Sequence, residues 1–122
     1  MTTLKRRLES LQKSKILAYL GLATRAGKAV SGEFGVERSI RKKRAKLVFV
    51  SEDASERSSE NFRNICTYYK VPLYFLGSRE ELGAACGKEA RVSAAIEDEG
   101  LAMAAIRRFN QESGIGGGKY VE

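Results

Sequence analysis

The sequence predicts a single α/β/α sandwich, and three observations predict it. Short apolar runs alternate with segments of helical period, the pattern of helices laid on a sheet. Two of those runs, Leu47–Val50 within Lys46–Ser51 and Leu73–Leu76, are apolar without interruption, as in strands covered by helices on both faces. The length of 122 residues with 43% hydrophobic content suits one packed domain and is too short for two.

In chain order, residues 3–26 read as a helix, with Leu4, Leu8 and Leu11, then Ile16, Leu17, Leu20 and Ala23 at helical spacing, and Gly27 as its cap. A break near Ser14 would set residues 1–13 apart as a basic helical extension. Ala29–Ser31 is a short extended piece ending in a turn at Gly32. A second helix is expected over 34–43, with Val36 and Ile40 inward, Arg38, Arg41 and Lys42 outward, and Glu37 paired with Arg41 one turn on.

After the strand at 46–51, Asp53 and Glu56 have the spacing of a capping box opening a third helix. Its core stripe is Phe62, Ile65, Cys66 and Tyr69, and Val71-Pro72 stops it. The strand Leu73–Leu76 leads to a second capping box, Ser78 with Glu81. The helix it opens turns Leu82, Ala85 and Cys86 inward and closes at Gly87. Lys88–Arg91 is a polar loop, Val92–Ile96 a weak strand, and Gly100 to about Gln111 the last helix, with Leu101, Ala105, Ile106 and Phe109 inward. The domain therefore spans 14–112. Residues 113–122, with Gly116-Gly117-Gly118, read as a flexible tail.

Composition narrows the chemistry. The absence of His removes His-based triads, His-ligated zinc and the usual neutral-pH general base. Cys66 and Cys86 are twenty positions apart, form no CxxC, and fit core positions in a reducing cytosol. Gly27-Lys28 is no phosphate loop: five residues separate it from Gly21 where four are needed, Ala29 stands where Ser or Thr would hold magnesium, and a helix precedes it. Asp53 is read as a cap, Glu97-Asp98-Glu99 as complements of a helix dipole, and Tyr68-Tyr69 as a weak stacking platform. No cofactor and no metal are expected. With no signal segment and no apolar run of membrane-spanning length, the expected place is the cytoplasm.

Charge gives the positive signal. The chain carries +7. Residues 1–46 hold thirteen Lys and Arg against three Glu, a net +10, while 47–122 carry −3. A surplus concentrated in one third of the chain points to a polyanionic partner. Within that third, Gly32 allows close backbone approach, the following helix start offers unsatisfied N–H groups, and Arg38 and Arg41 stand one and two turns in, with Lys28 upstream. If the loop with Lys88 and Arg91 lies nearby, a groove forms with two cationic walls. Backbone amides plus Arg on a rigid element are what recognition of shaped RNA requires.

Five blocks of residues then carry a resemblance: Leu22–Lys28, Val30–Gly32, Ala45–Ala54, Val71–Leu73 and Glu81–Gly87. In order and spacing, over about residues 14–110, they resemble the kink-turn RNA-binding ribosomal proteins, the L-seven-Ae superfamily with its sister L-thirty-e, and most nearly its bacterial YlxQ-type branch. The resemblance implies a mixed four-stranded sheet in the sandwich, no enzymatic activity, and RNA as partner, with the ribosome or rRNA foremost. Carried over by position, the implied RNA site is Gly32, Glu33, Phe34, Gly35 and Arg38, with Lys28 at its edge, and the loop Lys88, Glu89, Ala90, Arg91 and Val92. The chain departs from the pattern at one place. Kink-turn binders of this type put an Asn-Glu pair after the glycine turn to read sheared G·A pairs, and here Phe34-Gly35 stand there. Phe34 stacks but does not hydrogen-bond a base edge, so backbone-driven, weakly specific binding fits the +10 segment better. The alternative is a protein–protein adaptor of the translation machinery with a degenerate RNA surface. A substrate-recognition domain of an RNA ribose methyltransferase ranks last. A monomer is expected.

Overall fold

Four strands form one sheet in the order β1-β4-β2-β3, where β1 is Ala29–Ser31, β2 Leu47–Val50, β3 Leu73–Phe75 and β4 Ser93–Ile96. The structure, a computed structural model, describes residues 2–113, with side chains over 11–110; the tail expected beyond residue 113 lies outside the described residues. β4 runs antiparallel to both β1 and β2, and β2 runs parallel to β3, so the sheet is mixed as expected.

Alternate side chains of each strand enter opposite cores. Leu47, Phe49, Tyr74, Ala94 and Ile96 meet Ile16, Leu20 and Ala23 of α1 (Thr2–Arg25), Leu82 of α4 (Arg79–Ala85) and Ala102 and Ala105 of α5 (Glu99–Ser113). Val48, Val50, Leu73 and Ala95 meet Val36 and Ile40 of α2 (Glu33–Arg41) and Phe62, Ile65 and Cys66 of α3 (Glu56–Tyr69). The three-layer α/β/α sandwich follows, and it explains why β2 and β4 are buried at every position.

Several local expectations are corrected. α1 continues through Ser14 without a break. α2 ends at Arg41, and Lys43 takes a left-handed conformation with φ 62°. Asp53 does not cap α3. Ser55 does, accepting from the Ser58 N–H at 3.1 Å, because it directly precedes the first helical residue. Asp53 instead accepts from the Arg79 N–H (3.2 Å), with the Arg79 guanidinium 3.6 Å away, tying the β2–α3 loop to the start of α4. Glu37 does not pair with Arg41; its carboxylate accepts from the Asn61 amide of α3. β4, expected to be weak, is an interior strand whose small residues let α2 and α5 approach. Ala102 joins the core beside Ala105, while Leu101 is only half-buried.

The second capping box stands as read: the Ser78 hydroxyl accepts from the Glu81 N–H (3.1 Å) and Glu81 from the Ser78 N–H (2.8 Å). That Ser78 N–H, helped by Lys13 at 3.1 Å, holds the Glu81 carboxyl below its ordinary value. Asp98, accepting from the Leu101 N–H at 2.8 Å, opens α5.

Candidate nucleic-acid interface

The sheet sends the carboxyl ends of β1, β2 and β3 to one pole, and α2, α3 and α4 all start there. Three helix N-termini at one pole favour an anionic ligand. Two of them are closed by side chains, Ser55 on α3 and Ser78 on α4. α2 is different. Its N-cap is Gly32, with φ 92° and ψ 150°, and among the described residues no side-chain cap bond closes its first turn. The Val36 N–H reaches the Gly32 carbonyl (2.9 Å), which leaves the amides of Glu33, Phe34 and Gly35 as the open donors.

The second loop reaches the glycine turn with its last residues. The Gly32 N–H donates to the Ser93 carbonyl (2.9 Å), and Ser51 N–H donates to the carbonyl of Val92 (2.8 Å), so the end of the Lys88–Val92 loop lies against the glycine turn. From there the loop runs back along α4, with the Arg91 N–H on the Arg79 carbonyl (2.9 Å) and the Lys88 N–H on the Gly83 carbonyl (2.8 Å). Glu89 and Ala90 are exposed at its outer bend. The Arg91 guanidinium bonds the Ala90 carbonyl at 2.9 Å, which holds the side chain against its own loop.

On α2 the exposed stripe is Phe34, Arg38, Arg41 and Lys42, at positions one and two turns apart. Phe34 is 79% exposed. With Glu37 these residues line a shallow groove of about 270 Å³. The two carboxylates of the helix turn toward α3, Glu33 to the Ser58 hydroxyl (3.5 Å) and Glu37 to Asn61. Neither Arg38 nor Arg41 makes an ion pair among the described residues. Both acids of α2 thus bond to α3, Glu37 while still lining the groove, and its guanidinium groups face water.

Lys28 does not join this pole. It precedes β1, and its carbonyl accepts from the Glu97 N–H (2.8 Å) at the opposite end of the strand, about 13 Å from Gly32 at the rise of extended chain. Both thiols are buried. Burial pushes Cys66 up to about 12 and raises Cys86 as well, so neither is a thiolate at neutral pH.

The sequence profile of the ribosomal protein L7Ae/L30e/S12e/Gadd45 family matches residues 14–105. The chain belongs to this family. The RNA-binding protein YlxQ of Bacillus subtilis (strain 168) is 52% identical over 83 residues, covering 68% of this chain and 83% of that protein. The YlxQ of Enterococcus faecium is 39% identical over 90 residues, 74% of this chain and 86% of that one. Among solved structures, the Giardia lamblia 15.5kD RNA binding protein shares the fold, with a TM-score of 0.71 at 20% identity, over 87% of this chain and 88% of that one.

Within this L7Ae-family sandwich, one residue that sequence reasoning passed over proves important for the loop. Gly83, the fifth residue of α4, lies against the backbone of Glu89 so closely that a Cβ there would come within 1.6 Å of the Glu89 carbonyl oxygen. Only the block Glu81–Gly87 hinted at it, and nothing in the local pattern distinguishes this glycine from a helix-weakening one.

Proposed function

We propose that the chain is a non-enzymatic RNA-binding protein that acts in the cytoplasm as a monomer on rRNA or another structured RNA. One observation carries the reading: the open N-terminus of α2, set by Gly32, lies against the end of the Lys88–Val92 loop, while Arg38 and Arg41 on the adjoining face make no ion pair among the described residues. The names of the YlxQ relatives support it. The amides of Glu33 to Gly35 would take phosphate or base-edge oxygens, Arg38 and Arg41 would neutralise phosphates, and Lys88 and Arg91 would flank the far wall. Phe34 offers a stacking face where kink-turn binders of this type place an amide side chain. Affinity in this arrangement comes from phosphate and shape, and a kink-turn RNA is expected to be preferred only modestly over other folded RNA.

Filter binding at several salt concentrations tests this. The protein is expected to bind both a kink-turn RNA and bulk rRNA at low salt. Arg38→Ala is expected to weaken both by a similar factor and to reduce the slope of log affinity against log salt by about 1. Affinity independent of salt would exclude the phosphate mechanism, and no binding to either RNA would favour a protein adaptor instead.

A further inference from the structure

At the pole opposite the Gly32 turn, where α2 and α3 end, lies a second groove of about 260 Å³. Lys43, Lys46 and Lys70 line it together with Tyr69, and its lining contains no carboxylate. All three lysines are exposed, as are Lys42 and Arg44 beside them, and none makes an ion pair among the described residues. Tyr68, 78% exposed, packs edge-on against the groove residue Tyr69 with ring centroids 4.9 Å apart.

A second observation comes from the backbone. Among the described residues, Lys43 (φ 62°) and Lys70 (φ 60°) are the two non-glycine positions in the left-handed region, and both line this groove. Each follows the end of a helix, where glycine is the usual residue because the conformation costs it nothing. Complementing the helix dipole does not account for Lys43, since Arg38 and Arg41 already occupy the last turn of α2. At both positions a lysine stands where glycine would fold more easily; Lys70 also complements the dipole of α3, whose last turn holds no basic residue, and Lys43 has no such role.

The groove connects to the first site. α2 has nine residues, about 14 Å of helix, and the stripe Phe34, Arg38, Arg41, Lys42 runs its length from the glycine turn to Lys43. We propose that the Lys43, Lys46 and Lys70 groove is a second phosphate-binding surface, which takes the backbone of a duplex stem continuing from the RNA element held at the Gly32 turn. This rests on the RNA-binding reading above. The stem would lie along the outer face of α2, with its phosphates spread over both poles.

The test uses the full chain, its Lys43→Gly/Lys70→Gly variant, a short kink-turn RNA, and the same RNA with one stem lengthened by about a helical turn. The natural sequence is expected to bind the longer RNA more tightly, with a salt slope steeper by about 2, so that its advantage shrinks roughly tenfold between 50 and 200 mM salt. The variant is expected to bind both RNAs as the natural chain binds the short one, and to melt no lower than it. Equal affinity of the natural chain for both RNAs, or a variant that keeps the advantage of length, overturns the proposal while leaving the first site standing. Failure of the natural chain to bind the short RNA overturns both. Charge-dependent binding of poly-glutamate at these lysines without any length effect would assign the groove to an acidic protein and overturn it as well.

Discussion

Gly83→Ala is expected to destabilise the protein by about 3 kcal/mol or more, lowering Tm by roughly 12 °C in a domain of this size. The reason is steric and involves backbone alone. A methyl group at this position would lie 1.6 Å from the Glu89 carbonyl oxygen, 2.5 Å from its carbonyl carbon and 3.1 Å from the Ala90 Cα. A flexible side chain would swing away, but these atoms belong to the loop itself. Relief requires moving residues 88–92, and that loop is fastened at both ends, by the Lys88 N–H to Gly83 and by the Val92 carbonyl to Ser51. The same loop forms one wall of the proposed RNA site. Gly83→Ala is therefore expected to reduce RNA affinity about tenfold even at temperatures where the variant is folded. Thermal unfolding by circular dichroism and amide exchange across residues 88–92 check the two parts separately. An unchanged Tm would mean that α4 and the loop are not in contact as described.

The contrast between Gly83 and the rest of the site shows what sequence patterns carry. β2 was readable because helices on both faces demand apolar residues at every position, and Leu47 to Val50 supply them. The Ser78 and Glu81 box was readable because both of its bonds are local. Asp53 misled because two acceptors, Asp53 and Ser55, stand before the same helix, and the competition is settled by a distant partner, Arg79. β4 looked weak because Ser93, Ala94 and Ala95 carry little apolar bulk, although its interior place in the sheet needs small residues. At the candidate site, Gly32, the α2 start and the cationic stripe were legible from residue type and helical spacing. The adjacency of the Lys88–Val92 loop was legible only as a condition, since a hydrogen bond between Gly32 and Ser93 spans sixty-one positions. Lys28 is the complementary case: it is near Gly32 in sequence, but an extended strand carries it to the other pole. The left-handed lysines left no trace at all, because lysine is not a residue that signals that conformation.

Gly32→Ala is expected to cost about 1–3 kcal/mol of stability and, unlike Gly83→Ala, to do so without any clash. A Cβ at Gly32 would meet nothing within 4 Å. The cost lies in φ 92° and ψ 150°, a combination that essentially only glycine adopts. An alanine relieves it by rotating the peptide, which breaks the 2.9 Å bond from the Gly32 N–H to Ser93 and turns the amides of Glu33 to Gly35 away from the pole they share with the loop. RNA affinity should fall with stability. Gly35→Ala supplies the control. Gly35 is helical, and a Cβ there also meets open space, so alanine should stabilise the chain by about 0.5–1 kcal/mol through the lower entropy of its unfolded state. Its amide keeps its direction, so RNA affinity should hold. The two neighbouring substitutions then move stability in opposite directions, and only the one that alters backbone direction weakens RNA binding. Urea unfolding and filter binding on both variants measure this. Should Gly32→Ala bind RNA as tightly as the natural chain while losing stability, the direction of those amides is not what holds the polynucleotide, and the cationic stripe of α2 acts without them.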